Sequence, residues 1–539
     1  MNPILRMDGV SVTYGGSARP RQAVIDANLT LEPGATLGLA GESGCGKTSL
    51  ALAVLRLLPR SADVDGTILL DGQDIERLTW GGLRAARWAS ASVVFQGAMH
   101  ALNPVRTIAD QIAEPIRLHS SERLSAAVSR ARVVELLERV EIPARRRDAY
   151  PHELSGGQRQ RVMIAMALAC EPRLIIADEP TTALDVVVQS QVLSLLRRLV
   201  AERGIALLMI SHDLSVLAAS CRRLAVMYRG RLVEEGPAHR LASAPEHEHT
   251  RELAAAFPTI GDTASRYPGA GEPAGAAGST RRPLLSAEGV SVEFTDRHRN
   301  RVPAVREVDL DVTGDEILAL VGQSGSGKTT LARTLLGLRH PDTGVVHYDG
   351  RPIPTSGRRL RDFRGNVQLV LQDPTGALNP RHTVYEAVAE GLRVHGGATD
   401  ETARVHEALE AAELRPAEEF AGRFPHELSG GQRQRVVIAG ALVLCPRVLV
   451  ADEPVASLDA TVRGEILALL LRLRRERGVS SLVITHDLGL AWNVADRVAV
   501  MRAGAIVETG PVERVLIDPE HEYTTELLAA VPSFERSVS

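Results

Sequence analysis

Lysine is almost absent from this chain of 539 residues. Of its 62 basic residues only Lys47 and Lys328 are lysine, and the remaining 60 are arginine. Such a bias fits a high-GC bacterial genome that keeps a compact ammonium only where a planar guanidinium does not substitute. Cysteine is scarce as well. Cys45, Cys170, Cys221 and Cys445 form no C-x-x-C pair, which argues against a zinc site and fits a reducing compartment. No run approaches the roughly 18 consecutive apolar residues of a membrane-spanning helix. Met1 to Val12 lacks the basic start and apolar core of a secretory signal. The chain is therefore expected to stay in the cytoplasm and to reach a membrane only through partners. A formal charge of −4 supplies no basic field for a long nucleic acid, and the run Arg145 to Arg147 reads as a solvated face.

What the chain does contain is a repeat. Gly41-Glu42-Ser43-Gly44-Cys45-Gly46-Lys47-Thr48 returns as Gly322-Gln323-Ser324-Gly325-Ser326-Gly327-Lys328-Thr329. Leu154-Ser155-Gly156-Gly157-Gln158 returns as Leu428-Ser429-Gly430-Gly431-Gln432. Ser155 and Ser429, Asp178 and Asp452, and His212 and His486 are each 274 residues apart. A constant offset across three motifs means two copies of one domain. The two lysines are 281 apart, so the second copy is shorter between its glycine loop and its signature. We place a first domain at 1–260, a flexible Gly/Ala/Pro linker at 261–283 and a second domain at 284–539.

Each copy patterns as α/β. Leu37 to Ala40 leads into the glycine loop, and an apolar helix is expected over Ser49 to Leu58. Leu174 to Ala177 and Val448 to Ala451 are continuous apolar runs, suited to central parallel strands covered on both faces. Val133, Leu136, Leu137 and Val140 give one apolar face of a helix before the signature.

The motif G-x-x-x-x-G-K-T lets backbone N–H groups converge on phosphate oxygens, with a helix N-terminus behind them. Lys47 and Lys328 are expected to reach the β- and γ-phosphates, and Thr48 and Thr329 to hold Mg²⁺. The wider cradle comprises Gly41, Ser43, Gly44, Cys45, Gly46 and Ser49, and in the second copy Gly322, Ser324, Gly325, Ser326, Gly327 and Thr330. Each apolar run ends in an acidic pair. Asp178 and Asp452 are placed to meet the metal, and Glu179 and Glu453 to orient or deprotonate the attacking water. Ser155 and Ser429 open helices through small residues and make a second anion site.

With these motifs together, the chain resembles the ATP-binding-cassette superfamily over nearly its whole length, twice. The resemblance implies two P-loop NTPase domains in tandem, each a RecA-like α/β core with a helical subdomain and a small antiparallel β subdomain. It implies head-to-tail pairing, so that Ser429, Gly431 and Gln432 complete the first ATP site and Ser155, Gly157 and Gln158 the second. His212 and His486 match the switch histidine, and Asp185 and Asp459 the loop between the sites. Gln96 and Gln372 match the glutamine linking Mg²⁺ and water to transmembrane partners. Gly97, after Gln96, replaces a usual acidic residue that the second copy keeps as Asp373. Tyr14 and Phe294 sit at the adenine-stacking position.

Ala-Leu-Asn-Pro at 101–104 and 377–380, Pro-His-Glu-Leu-Ser at 151–155 and 425–429, and both tails resemble the peptide and nickel importer branch. The tails are Glu248-His249-Thr250-Arg251-Glu252-Leu253 and Glu522-Tyr523-Thr524-Thr525-Glu526-Leu527. The implied protein is a peripheral ATPase on the cytoplasmic face of a bacterial inner membrane. It would serve two transmembrane permease subunits and an extracytoplasmic solute-binding protein, with no nucleic acid partner. Peptides are the first choice of solute, with nickel chelates, glutathione, haem or glycosides as alternatives. Stretches 230–283 and 504–539 contain no cysteine, so no iron–sulfur cluster is expected. The rival is a tandem ATPase acting on ribosomes or DNA. Its long charged linker, inserted coiled coils or zinc modules are not in the sequence.

Overall fold

The computed structural model describes residues 2–15, 20–95, 97, 101–119, 125–182, 184–256, 259–270, 282–295, 300–397, 399–456 and 458–532. The chain divides into two compact units. One comprises Met1–Phe257 with Asp459–Thr461 and Pro532–Ser539, the other Pro258–Leu458 with Val462–Val531.

In the first unit a six-stranded sheet runs in the order Arg231–Pro237, Arg223–Tyr228, Thr36–Ala40, Ala206–Ser211, Leu174–Asp178 and Ala91–Val94. All neighbours are parallel except the edge strand Arg231–Pro237. The central strands are buried on both faces. Ile175, Ala177, Leu207 and Met209 enter one core, while Leu174, Ile176, Leu208 and Ile210 enter another on the opposite face. Continuous apolar runs are what a sheet covered on both sides requires. An antiparallel sheet of Arg21–Leu31, Leu5–Tyr14, Ala62–Leu70 and Gln73–Asp74 packs beside it. Between the strands Ala91–Val94 and Leu174–Asp178 lie the helices Ile108–His119, Ala126–Arg139 and Gly156–Leu168. Val133, Leu136, Leu137 and Val140 are all buried, as their spacing predicts.

The second unit repeats this plan. Its six strands run Val367–Val370, Val448–Asp452, Ser480–Thr485, Ile317–Val321, Arg497–Arg502 and Ala505–Pro511. Its antiparallel sheet comprises Arg301–Thr313, Pro283–Thr295, Thr343–Tyr348 and Arg351–Pro352.

Two expectations need correction. The helix after the first glycine loop spans only Lys47–Ala53, not Ser49 to Leu58. Val54 and Leu55 tighten to i→i−3 bonds, and Arg56 turns to a φ of 49°, which ends the helix. The linker is not free over its first part. Trp492 Nε1 donates to Asp262 O at 3.1 Å and Ser265 Oγ at 3.2 Å, and Tyr267 N donates to Asn493 O at 3.3 Å. Arg266 pairs with Glu513, donates to Ala495 O at 2.8 Å and lies over the Trp492 ring. Arg474, buried and paired with Asp496, donates to Gly269 O at 3.2 Å. Gly, Ala and Pro read as a tether only until these distant partners are known. The part of the linker at 271–281 lies outside the described residues.

Candidate functional site

The segments singled out by the sequence emerge at the carboxyl ends of adjacent parallel strands, where α/β sheets bind ligands. Thr36–Ala40 delivers the glycine loop at 41–48, Leu174–Asp178 the acidic pair Asp178-Glu179 and Ala206–Ser211 the residue His212. Ile317–Val321, Val448–Asp452 and Ser480–Thr485 do the same in the second unit.

Gly46 and Gly327 begin the helices Lys47–Ala53 and Lys328–Leu335 with φ near +109° and +108°. A Cβ on Gly46 would lie 2.2 Å from Ala23 O, and one on Gly327 2.3 Å from Ala304 O, so only glycine fits. No side chain caps either helix, which leaves the first-turn N–H groups for an anion. Both lysines are buried. Lys47 Nζ donates to Gly41 O at 2.7 Å and Glu42 O at 2.6 Å. Lys328 Nζ donates to Gly322 O at 2.7 Å and Gln323 O at 2.8 Å. Between Gly41–Thr48 and Gly322–Thr329 the two loops differ at two positions, where Glu42 and Cys45 in the first correspond to Gln323 and Ser326 in the second. Burial pushes the Cys45 thiol up, against the pull of Lys47, whose Nζ lies 3.8 Å from the sulfur.

The acidic pairs sit in contrasting environments. Burial raises the Asp178 carboxyl, with a Thr48 hydrogen bond opposing, and Asp178 Oδ1 is buried with no hydrogen-bond partner among the described residues. Burial likewise raises Asp452, with Thr329 Oγ1 3.5 Å from its Oδ1. An orphaned carboxylate oxygen beside a threonine hydroxyl is a donor set that suits Mg²⁺, a hard oxygen-seeking cation. The glutamates move the other way. Burial alone would raise Glu179, but the hydrogen bond and charge of His212 outweigh it and hold the carboxyl low. His212 Nδ1 is 3.2 Å from Glu179 Oε1, and Thr182 Oγ1 donates to Oε2 at 2.9 Å. Glu453 is held low in the same way by His486. Its Oε1 is 2.9 Å from His486 Nδ1, and Gln372 Nε2 donates to its Oε2 at 3.0 Å. Glu179 and Glu453 adopt φ of 45° and 48°. That left-handed backbone costs a residue with a side chain of order 1–3 kcal/mol, and such strain gathers at functional sites.

Ser155 caps the helix Gly156–Leu168. Its Oγ accepts from Gln158 N at 3.3 Å, and Gln158 Oε1 accepts from Ser155 N at 3.1 Å. Ser429 and Gln432 repeat the box at 3.2 and 3.0 Å. These helices lie in the helical region of each unit. Asp185 caps Val186–Arg203 through Val188 N at 3.1 Å, and Asp459 precedes Ala460–Arg477. Tyr14 reaches the phosphate-loop helix, its hydroxyl 2.9 Å from Ser49 Oγ. Phe294 is half-exposed with the Arg339 guanidinium 4.1 Å from its ring centroid. Gln96 lies outside the described residues. Sequence reasoning missed Thr182, which has no counterpart because Ala456 stands there in the second copy. It also missed the Gln372–Glu453 bond, which no spacing reports.

The ABC transporter family model matches residues 24–182 and 305–456, and the oligopeptide/dipeptide transporter C-terminal region matches 507–538. The glutathione import ATP-binding protein GsiA of Salmonella choleraesuis (strain SC-B67) is 42% identical over 98% of this chain and 89% of the relative. GsiA of Escherichia coli (strain K12) is 40% identical over 99% of this chain and 90% of its own length. Among solved structures, cbiO1 from Clostridium perfringens, part of the ABC transporter complex cbiONQ, is 28% identical. It covers 46% of this chain and 99% of that one, with a TM-score of 0.40. The dimeric ABC transporter cassette MJ0796 is 29% identical over 42% of this chain and 99% of its own, with a TM-score of 0.39.

Proposed function

The chain belongs to the ABC transporter family, as an import ATPase with two cassettes in one chain, and we propose that its solute is a short peptide of the glutathione class. The observation that carries this reading is the full-length likeness to glutathione import ATPases, joined to a C-terminal region of the oligopeptide type. The peptide assignment stays with the solute-binding partner, because the ATPase works on nucleotide.

In this reading the loops at 41–48 and 322–329 receive the phosphates, and Lys47 and Lys328 exchange their backbone carbonyls for β- and γ-phosphate oxygens. Mg²⁺ held by Thr48, Asp178 and Gln96, and by Thr329, Asp452 and Gln372, would balance the phosphate charge. Tyr14 and Phe294 stack on adenine. Glu179 and Glu453, kept ionised by their histidines, orient the attacking water and take its proton. Ser429, Gly431 and Gln432 complete the first site and Ser155, Gly157 and Gln158 the second. ATP then favours the closed pair through its greater affinity for it, and hydrolysis releases the pair. Among the described residues no helix is long and apolar enough to cross a membrane. In this reading two permease subunits form the conduit, as the likeness to import ATPases suggests. An extracytoplasmic binding protein brings the solute, and the chain sits peripherally on the cytoplasmic face.

Tagging the chain in its native host, solubilising the membranes gently and identifying co-purifying proteins tests this. Two polytopic membrane proteins are expected, and the neighbouring binding protein should bind glutathione or short peptides. Ribosomes or nucleic acid in their place would overturn the reading.

A further inference from the structure

The C-terminal extension touches the second phosphate loop directly. Gln323 N donates to the Tyr523 hydroxyl at 3.2 Å. Gln323 is thereby held at both ends, since its C=O accepts from Lys328 Nζ at 2.8 Å. Tyr523 lies on the first turn of the helix Glu522–Ala530 and is buried. The start of that helix is itself anchored. Glu508, a buried carboxylate on the edge strand, accepts from Glu520 N at 3.0 Å, His521 N at 3.2 Å and Thr524 Oγ1 at 2.5 Å. The Arg502 guanidinium covers the Tyr523 ring at 4.7 Å from its centroid.

The first cassette has the same scaffold without the reach. Glu234 accepts from Glu246 N at 3.0 Å and His247 N at 3.1 Å. At the position of Tyr523 stands His249, whose ring packs on Tyr228 at 4.1 Å between centroids. His249 Nδ1 faces Glu252 at 3.4 Å, and its Nε2 is buried with no hydrogen-bond partner among the described residues. Glu42, the counterpart of Gln323, therefore receives nothing from His249.

We propose that Tyr523 is a positioning residue for the second ATP site, through which the C-terminal extension holds the phosphate loop at one site and not the other. The proposal rests on the reading that 322–329 binds ATP. When a phosphate draws the Lys328 ammonium away, the Gln323 carbonyl loses its partner and the Tyr523 hydroxyl still fixes the Gln323 N–H. The loop then keeps the shape that aims its later N–H groups at phosphate. The first loop lacks this restraint, so the two sites differ in ATP affinity although their catalytic groups match.

The test measures equilibrium ATP binding to the full chain in a Lys47→Ala background, which leaves the second loop as the binder. Tyr523→Phe keeps the ring and removes only the hydroxyl. It is expected to weaken ATP binding about 2- to 10-fold, the effect of one neutral hydrogen bond, with kcat at saturating ATP and Tm nearly unchanged. Glu508→Gln, which loosens the helix carrying Tyr523, should weaken binding in the same direction. In a Lys328→Ala background, Tyr523→Phe should leave binding at the first loop unchanged. Unchanged affinity in the Lys47→Ala background, a lower Tm without a change in affinity, or equal weakening at both loops would overturn the proposal. If the Lys47→Ala chain binds no ATP before Tyr523 is altered, the assignment of the second loop fails and this inference with it.

Discussion

His486 Nδ1 stands 2.9 Å from Glu453 Oε1, while Gln372 Nε2 holds the other oxygen of the same carboxylate at 3.0 Å. The pair sits where two parallel strands end side by side, because Glu453 N donates to Ile484 O at 2.9 Å, two residues before the histidine. A left-handed φ of 48° then turns the Glu453 side chain toward His486. Glu179 and His212 form the same arrangement in the first cassette. Replacing either glutamate with glutamine keeps the shape and removes the carboxylate to which the proposed function gives the role of base. Glu453→Gln and Glu179→Gln are each expected to slow ATP turnover by about 10²-fold or more at their own site. Phosphate release from the single and double variants checks this. A single variant with unchanged turnover would mean that its site contributes no hydrolysis.

Gly157 packs the signature helix against the helix that follows Asp185. A Cβ there would lie 2.3 Å from Val188 Cγ1, and one on Gly431 2.3 Å from Val462 Cγ1. The absence of a side chain at Gly157 is therefore what lets the signature helix lie against the helix capped by Asp185. Gly157→Ala should cost about 1–3 kcal/mol of stability by overpacking. Adding Val188→Ala should recover most of it, because the second change removes the methyl that clashes. Thermal unfolding of the two single variants and the pair measures the coupling.

The grouping of the candidate site residues was legible in the sequence because residue type and spacing recur together in both copies. Asp178 ends a short apolar strand and Lys47, Glu179 and His212 each follow one, and a buried parallel sheet brings those strand ends together. The repeat made the reading stronger, since Lys328, Asp452, Glu453 and His486 carry the same pattern. Other features left no such trace. The partners of Asp262 and Tyr267 are Trp492 and Asn493, more than 200 residues later in the chain. Nothing in the composition of the linker reports an indole or a carbonyl at that distance. The backbone strain at Glu179 and Glu453 was equally invisible, because local preference disfavours it and only the surrounding fold imposes it.

The docking of the linker gives a protease test. Tyr267 is partly buried on the second unit, and Arg266 beside it bonds to Glu513, Ala495 O and the Trp492 ring. Arg266→Ala removes all three contacts and leaves the Trp492 core in place. Elastase should then cut after Ala264, in the same segment, several-fold faster than in the parent chain, since cleavage follows the population of the locally opened segment. Cleavage at the parent rate would mean that Trp492 and Arg474 hold the strap without it.

The anchor of the second tail should respond to acid. Burial alone would raise the Glu508 carboxyl, but the Thr524 hydroxyl and the Glu520 and His521 N–H groups outweigh it and hold it below its ordinary 4.5. A carboxyl depressed in the folded state adds stability above its unfolded value, and that stability is lost as pH falls through the folded value. Glu508→Gln should therefore lower stability at pH 7, by about 1–3 kcal/mol for a charged acceptor of several hydrogen bonds. At a pH below the folded value the parent carboxyl is itself neutral, so the difference between parent and variant should close. Unfolding midpoints of the two chains across that range decide the matter. A gap that persists at low pH would assign the cost to packing of the glutamine, not to the lost charge.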